Sequence, residues 1–163
     1  MIEAELILEE ALQPLVAAND IGLYHYGSED ELIKVFSVTN AVKYPIVWLQ
    51  MPLIGANTQS IYKKELNTTL RLILATSSKK EWFNDNRNKE TYAKVLNPLY
   101  NKVLEAVNGF KYIDITSREL TVQKLHNYHR TDLGTRSNPQ KRTALDYWDV
   151  IILEFDARIK EIC

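Results

Sequence analysis

The stretch that decides the expected fold is LNTTLRLILAT at residues 66–76, because apolar side chains recur at every second position of it. Leucines occupy positions 66, 70, 72 and 74, with a threonine at position 68. A period of two residues is typical of a β-strand that turns one face toward a core. Residues 145–159 (LDYWDVIILEFDARI) alternate in the same way, with Asp149 interrupting the apolar face. Two long strands with one buried face each favour a mostly antiparallel sheet.

Shorter strands are predicted on both sides of the first stretch. Residues 21–26, 44–54 and 110–116 are rich in β-branched and aromatic side chains, which favour strands. Pro45 and Pro52 are expected at the two ends of the middle one, because proline cannot donate to the hydrogen-bond ladder of a sheet. The polar segment 55–59 is expected to be a break between strands.

Two helical regions complete the expected fold. In residues 2–18 and 84–108, apolar side chains recur at spacings of three and four. Pro14 and Pro98 are expected to kink or interrupt these helices. Ser28 and Glu31 have the spacing of a capping box, which predicts a short helical turn after residue 28.

Together these elements predict the α+β class, with a single mostly antiparallel sheet and helices packed on one of its faces. The length of 163 residues fits one domain over 1–163. The core is predicted to contain the following residues: Leu12, Leu70, Leu72, Leu96, Leu99, Leu153 and Phe155.

Composition narrows the class of protein. The net charge of −1 argues against general affinity for nucleic acid, and a single cysteine excludes an internal disulfide and a zinc site built on paired cysteines. The apolar runs are much shorter than the roughly 20 residues of a membrane span, so no membrane association is expected. The first 33 residues lack lysine and arginine, so a signal peptide is not expected.

Charge is unevenly distributed along the chain. Residues 1–33 contain eight acids and no lysine or arginine, whereas residues 117–142 contain six bases and two acids. Residues 117–143 lack a strong period and are predicted to be a long, basic, largely irregular loop or arm. The two charged regions are either ordinary solvated faces or patches that meet when subunits associate. The candidate interface residues are Glu3, Glu5, Glu9, Glu10, Arg118, Arg130, Arg136, Lys141 and Arg142.

Motifs for catalysis are absent from the sequence. It contains neither a glycine-rich phosphate loop nor a Gly-x-Ser-x-Gly elbow. His126 and His129, with Asp132 nearby, form the one cluster that resembles a metal site, and no motif supplies a further ligand. We therefore expect no catalytic residue, no cofactor and no metal. Asp149 is expected to pair with an arginine or lysine.

Two aromatic pairs leave alternatives open. Trp82-Phe83 and Tyr147-Trp148 are either core residues or anchors at a subunit interface, where tryptophan and tyrosine are enriched.

Several local strings occur in a fixed order along the chain: LRLILAT (70–76), EW (81–82), NR (86–87), TY (91–92), VLNPLY (95–100) and DYWDVIILEFDARI (146–159). This layout, over nearly the whole chain, resembles the small neck proteins of tailed bacteriophages, and most of all their tail-terminator (tail-completion) proteins.

The resemblance implies a virion structural protein without enzyme activity. It implies a homo-oligomeric ring, commonly a hexamer, at the head–tail junction, which caps the tail tube and receives the head-side connector protein. DNA would pass through the channel of the ring without specific binding. Synthesis in the host cytoplasm would precede incorporation into the virion.

Two other functions remain open from the sequence. One is a small adaptor or regulatory domain that binds protein or nucleic acid through the basic arm. The other is an enzyme with a metal held by the His126 cluster. For the ring, we expect the basic segment of one subunit to contact the acidic N-terminal helix of its neighbour.

Overall fold

The computed structural model describes residues 2–38, 43–60, 62–79, 81–126, 128 and 147–162. Its helices are α1 (Ala4–Ala17), α2 (Glu29–Val38), α3 (Asn84–Arg87), a π-helix (Asn88–Leu96) and α4 (Asn97–Asn108). Its strands are β1 (Leu23–Gly27), β2 (Ile46–Gln50), β3 (Ile54–Ser60), β4 (Glu65–Ser78), β5 (Ile113–Ile115), β6 (Thr121–Leu125) and β7 (Tyr147–Lys160).

The two longest strands, β4 and β7, form the centre of one sheet. They pair antiparallel along their full lengths, from Glu65 opposite Lys160 to Ser78 opposite Tyr147. The strand order is β1-β2-β4-β7-β5, with β3 also paired to β4 and β6 also paired to β7. Among the described strands only β1 and β2 pair in parallel. The predicted α+β class with a mostly antiparallel sheet is therefore confirmed.

The larger core lies between one face of the sheet and α1, the π-helix and α4. Because β4 and β7 alternate in register, the even-numbered leucines of β4 and the odd-numbered residues 151–159 of β7 point to this side. All the predicted core residues are at most 3% exposed, which confirms the prediction: Leu12, Leu70, Leu72, Leu96, Leu99, Leu153 and Phe155.

A second, smaller apolar cluster covers part of the opposite face of the sheet. It contains Trp48, Ile73 and Ile152 from the sheet, together with Leu32 from α2. Residues 72–75 of β4 and 150–153 of β7 are thus buried on both faces of the sheet. This explains why residues 150–153 are an unbroken apolar run.

The second helical region changes its winding next to a proline. Pro98 lies at the start of α4 and has no backbone N–H, and in an α-helix its ring would clash with the carbonyl four residues earlier. The preceding turns are wound as a π-helix, in which the N–H of Asn97 donates to the carbonyl of Tyr92 five residues back. The predicted interruption at residues 97–98 is therefore confirmed. Pro14, by contrast, lies inside α1, which continues to Ala17.

Strand boundaries confirm one prediction and correct another. Pro45 and Pro52 flank β2, as expected. The segment 55–59, predicted to be a break, instead belongs to β3. This strand pairs with β4 and its described side chains are mostly exposed, so it lacks the apolar alternation that reveals a strand in sequence.

The start of the predicted basic loop is also corrected. Within residues 117–143, Thr121–Leu125 form β6 and pair with residues 150–154 of β7. All five residues of β6 are exposed, so main-chain pairing forms this strand without an amphipathic pattern. Residues 129–143 lie outside the described part of the chain.

The predicted capping box at residue 28 is present. The backbone N–H of Ser28 donates to Oε2 of Glu31 at 2.7 Å, and the backbone N–H of Glu31 donates to Oγ of Ser28 at 3.2 Å. These reciprocal bonds satisfy donors at the start of α2 that have no partner inside the helix.

Replacing Ser28 by alanine is expected to lower the free energy of unfolding by about 1 kcal/mol, because one of these bonds is lost. Urea unfolding followed by circular dichroism measures this. Ser77→Ala is the matched control, because Ser77 is exposed on β4, and it should stay within about 0.5 kcal/mol of the parent. Equal effects of the two variants would show that the capping box contributes nothing.

Candidate functional site

A buried ion pair lies between the sheet and the π-helix region. Asp149 of β7 is 0% exposed and Arg87 at the end of α3 is 3% exposed. Nη1 of Arg87 donates to Oδ1 of Asp149. The expectation that Asp149 pairs with an arginine or lysine is therefore confirmed, and the interruption of the apolar face of β7 has its explanation.

The guanidinium of Arg87 also donates hydrogen bonds to the end of β4 and to the segment that follows it. Nη1 donates to Oγ of Ser78 at 3.0 Å, and Nη2 donates to the carbonyl of Lys79 at 3.0 Å. Nε donates to the carbonyl of Trp82 at 3.1 Å. All three nitrogens of the guanidinium thus donate within the chain, so this side chain acts as a structural clamp.

The π-helix completes the polar network. The hydroxyl of Thr91 donates to Oδ2 of Asp149 at 2.8 Å, and the hydroxyl of Tyr92 donates to the carbonyl of Leu125 at 2.9 Å. Nδ1 of His126 lies 3.3 Å from the Tyr92 hydroxyl and 3.6 Å from Oδ1 of Asp149. Burial raises the pKa of Tyr92, and the carboxylate of Asp149 adds to this effect. The hydroxyl therefore stays protonated and holds the end of β6 against the π-helix.

A shallow depression of about 530 Å³ opens beside this network. It is lined by Trp82, Phe83, Asn84, Asp85, Arg87 and His126. Phe83 is 82% exposed, whereas Trp148 is buried, so the two aromatic pairs of the sequence have different roles. Trp148 belongs to the core and Phe83 to the surface.

The metal hypothesis rested on three residues, of which the structure describes one. His126 contacts Tyr92 and Asp149, while His129 and Asp132 lie outside the described residues. In the described part of the chain, histidine, cysteine, aspartate and glutamate form no group able to hold a metal ion.

The acidic interface candidates lie along helix α1. Glu3, Glu9 and Glu10 are exposed, and Glu5 is half-buried. The hydroxyl of Tyr24 on β1 donates to the carbonyl of Glu5 at 3.0 Å, which fixes the start of the helix beside β1. Burial raises the pKa of Tyr24, with further contributions from the carboxylates of Glu9 and Glu5.

One basic interface candidate falls in the described part of the chain. Arg118 is exposed between β5 and β6, and the exposed Lys124 on β6 lies 5.2 Å from the centre of the Tyr92 ring. The remaining basic candidates lie outside the described residues: Arg130, Arg136, Lys141 and Arg142.

The exposed apolar side chains, apart from Phe83, were not predicted from the sequence. Among the described residues they are Leu6, Tyr62, Phe83, Val122, Leu125 and Ile162. Leu6 was predictable in part, because it does not share the apolar stripe of α1. Val122 and Leu125 gave no signal, since residues 117–143 show no strong apolar period.

Two of these side chains, Leu6 and Ile162, lie in a groove where α1 begins and β7 ends. We call it the terminal groove; its volume is about 250 Å³ and it is lined by Ile2, Glu3, Leu6, Ile7, Glu10, Glu161 and Ile162. Glu161 pairs with Lys64 at 3.0 Å. Neither Glu3 nor Glu10 forms an ion pair with another described residue.

None of the described helices combines the length and the apolar character that crossing a membrane requires. Compared with known proteins, the sequence matches no protein-family model and shows no significant similarity to a curated protein.

Proposed function

We propose that this protein is a virion structural subunit of a tailed bacteriophage that forms a ring at the head–tail junction. In this role the ring caps the tail tube and joins it to the head-side connector protein, and DNA passes through its channel without specific binding. The strings of residues 70–100 and 146–159 that resemble tail-terminator proteins support this proposal. The α+β fold of a 163-residue chain agrees with it.

The observation that carries the proposal is the separation of opposite charges on one subunit. Helix α1 contacts β1 and α4, and its acids Glu3 and Glu10 lie beside Glu161 at the end of β7. Arg118 and Lys124 lie before and within β6. Among the described residues no ion pair joins an acid of α1 to Arg118 or Lys124 within one subunit, so contacts between two copies are where these charges would be paired.

A contact between two different patches of identical subunits is head-to-tail. Such contacts repeat from subunit to subunit, and they close into a ring when the rotation between subunits permits. Charge complementarity also steers the subunits toward each other during assembly. These properties suit a ring subunit better than an adaptor that works as a monomer.

We expect the purified protein to form a discrete multimer at low ionic strength, with a mass that is a whole-number multiple of 18.9 kDa. Light scattering coupled to size-exclusion chromatography measures this mass, and electron microscopy of the same fraction shows whether it is a ring. The fraction of monomer should rise with added salt, because exposed charge contacts are screened within about 3 Å at 1 M salt.

A protein that stays monomeric at all concentrations and salt levels would contradict the proposal and favour the adaptor alternative. A gel-shift assay with duplex DNA separates the two further. The ring proposal expects no sequence-specific binding, whereas an adaptor that acts on nucleic acid through residues 117–142 should bind.

A further inference from the structure

We infer that the terminal groove receives strand β6 of a second copy of this chain. This inference rests on the proposed function, because it names the two surfaces through which the ring would close. The groove supplies Leu6 and Ile162, and β6 supplies Val122 and Leu125. Together these are four of the exposed large apolar side chains of the described residues.

These four apolar side chains are all accessible at the surface of one subunit. Leu6 and Ile162 are 43% and 39% exposed, and Val122 and Leu125 are 42% and 38% exposed. Val122 pairs with Leu153 and Leu125 with Val150, so they point to opposite faces of β6. A groove that receives the edge of this strand would therefore cover both.

Charge complementarity selects a second copy as the occupant. Glu3 and Glu10 line the groove, and Arg118 and Lys124 lie before and within β6. Neither Arg118 nor Lys124 forms an ion pair with another described residue. Apolar side chains flanked by acids on one surface and by bases on the other form a complementary pair, and like charges would repel any contact of either surface with itself.

Thiol cross-linking tests the pairing directly. The single cysteine is first replaced (Cys163→Ser), and Leu6→Cys and Val122→Cys are then introduced together. Treatment with a short bis-maleimide should give a ladder of covalent multimers on denaturing gels. Each single-cysteine variant should stay monomeric, because in a head-to-tail contact neither position meets its own copy.

The matched control combines Leu6→Cys with Lys89→Cys, because Lys89 is exposed and belongs neither to β6 nor to the terminal groove. An equal ladder from this control, or covalent dimers from Leu6→Cys alone, would overturn the inference. If the parent forms rings and the Leu6/Val122 pair gives no ladder, the inference fails while the proposed function stands. If the parent is a monomer by light scattering, both fail.

Charge exchange provides an independent measurement. Glu3→Lys with Glu10→Lys should reduce the mass from that of the multimer to 18.9 kDa, and so should Arg118→Glu with Lys124→Glu. An equimolar mixture of the two double variants should restore a larger species, because each brings one complementary surface. The control is Glu81→Lys with Glu105→Lys. It changes the net charge by the same amount as Glu3→Lys with Glu10→Lys, at exposed positions outside the terminal groove. Loss of the multimer in this control too would attribute assembly to net charge and overturn the inference.

Discussion

Asp149→Asn is expected to lower the free energy of unfolding by about 3–5 kcal/mol, because it leaves the guanidinium of Arg87 buried without a counter-charge. Arg87 is 3% exposed, so water cannot replace the lost carboxylate charge without opening the structure. The amide keeps the size of the side chain, so the effect reports charge rather than volume. Urea unfolding at neutral pH, followed by tryptophan fluorescence, measures it.

An exposed ion pair provides the matched control. Glu90 and Lys94 pair at 2.6 Å on the π-helix, with side chains 44% and 64% exposed, and Glu90→Gln should cost about 0.3–0.5 kcal/mol. The double variant Arg87→Met with Asp149→Leu should recover part of the stability, because it removes both buried charges. If Asp149→Asn costs no more than Glu90→Gln, the buried pair does not stabilise the fold.

Leu72→Ala is expected to destabilise the protein by about 2–5 kcal/mol, the range for deleting a buried leucine side chain and leaving a cavity. Leu72 is 0% exposed and lies opposite Leu153 in the central strand pair. Because β7 and the helices hold the surrounding side chains in place, the cavity can collapse only in part. Thermal and urea unfolding both measure the loss.

Two further variants make this result specific. Leu72→Met keeps the volume and should cost less than about 1.5 kcal/mol. Leu125→Ala, on the exposed strand β6, should cost much less than Leu72→Ala, because the partly exposed Leu125 side chain buries less apolar surface in the folded state. Similar losses for the Leu72 and Leu125 variants would contradict the assignment of the core.

The central part of the fold could be predicted because its signals are local. Alternation along 66–76 identified the buried face of β4, and an acid in an apolar stretch indicated that Asp149 needs a basic partner. The identity of that partner could not be predicted, because Arg87 lies 62 residues away along the chain. Sequence patterns reveal that a buried charge needs compensation, whereas the topology decides which residue provides it.

The peripheral elements could not be predicted, because their side chains show no periodic alternation of apolar and polar residues. Strands β3 and β6 are held mainly by main-chain pairing to β4 and β7, and their side chains stay exposed, so no period appears. The π-helix escaped prediction for a different reason. Its wider turns end beside Pro98, and α-helical spacing in the sequence carries no information on that geometry.

The position of β7 has a consequence for how the protein is synthesised. This strand is the last of the described chain, yet it pairs with β4, β5 and β6 at the middle of the sheet. During translation, β4 (residues 65–78) cannot pair with β7 until residues 147–160 have left the ribosome. About half of the chain is synthesised in the meantime, and until then the edge of β4 that pairs with β7 stays open. Such non-local pairing forms slowly, and until it forms the edge of β4 that faces β7 is an exposed strand edge of the kind that promotes aggregation.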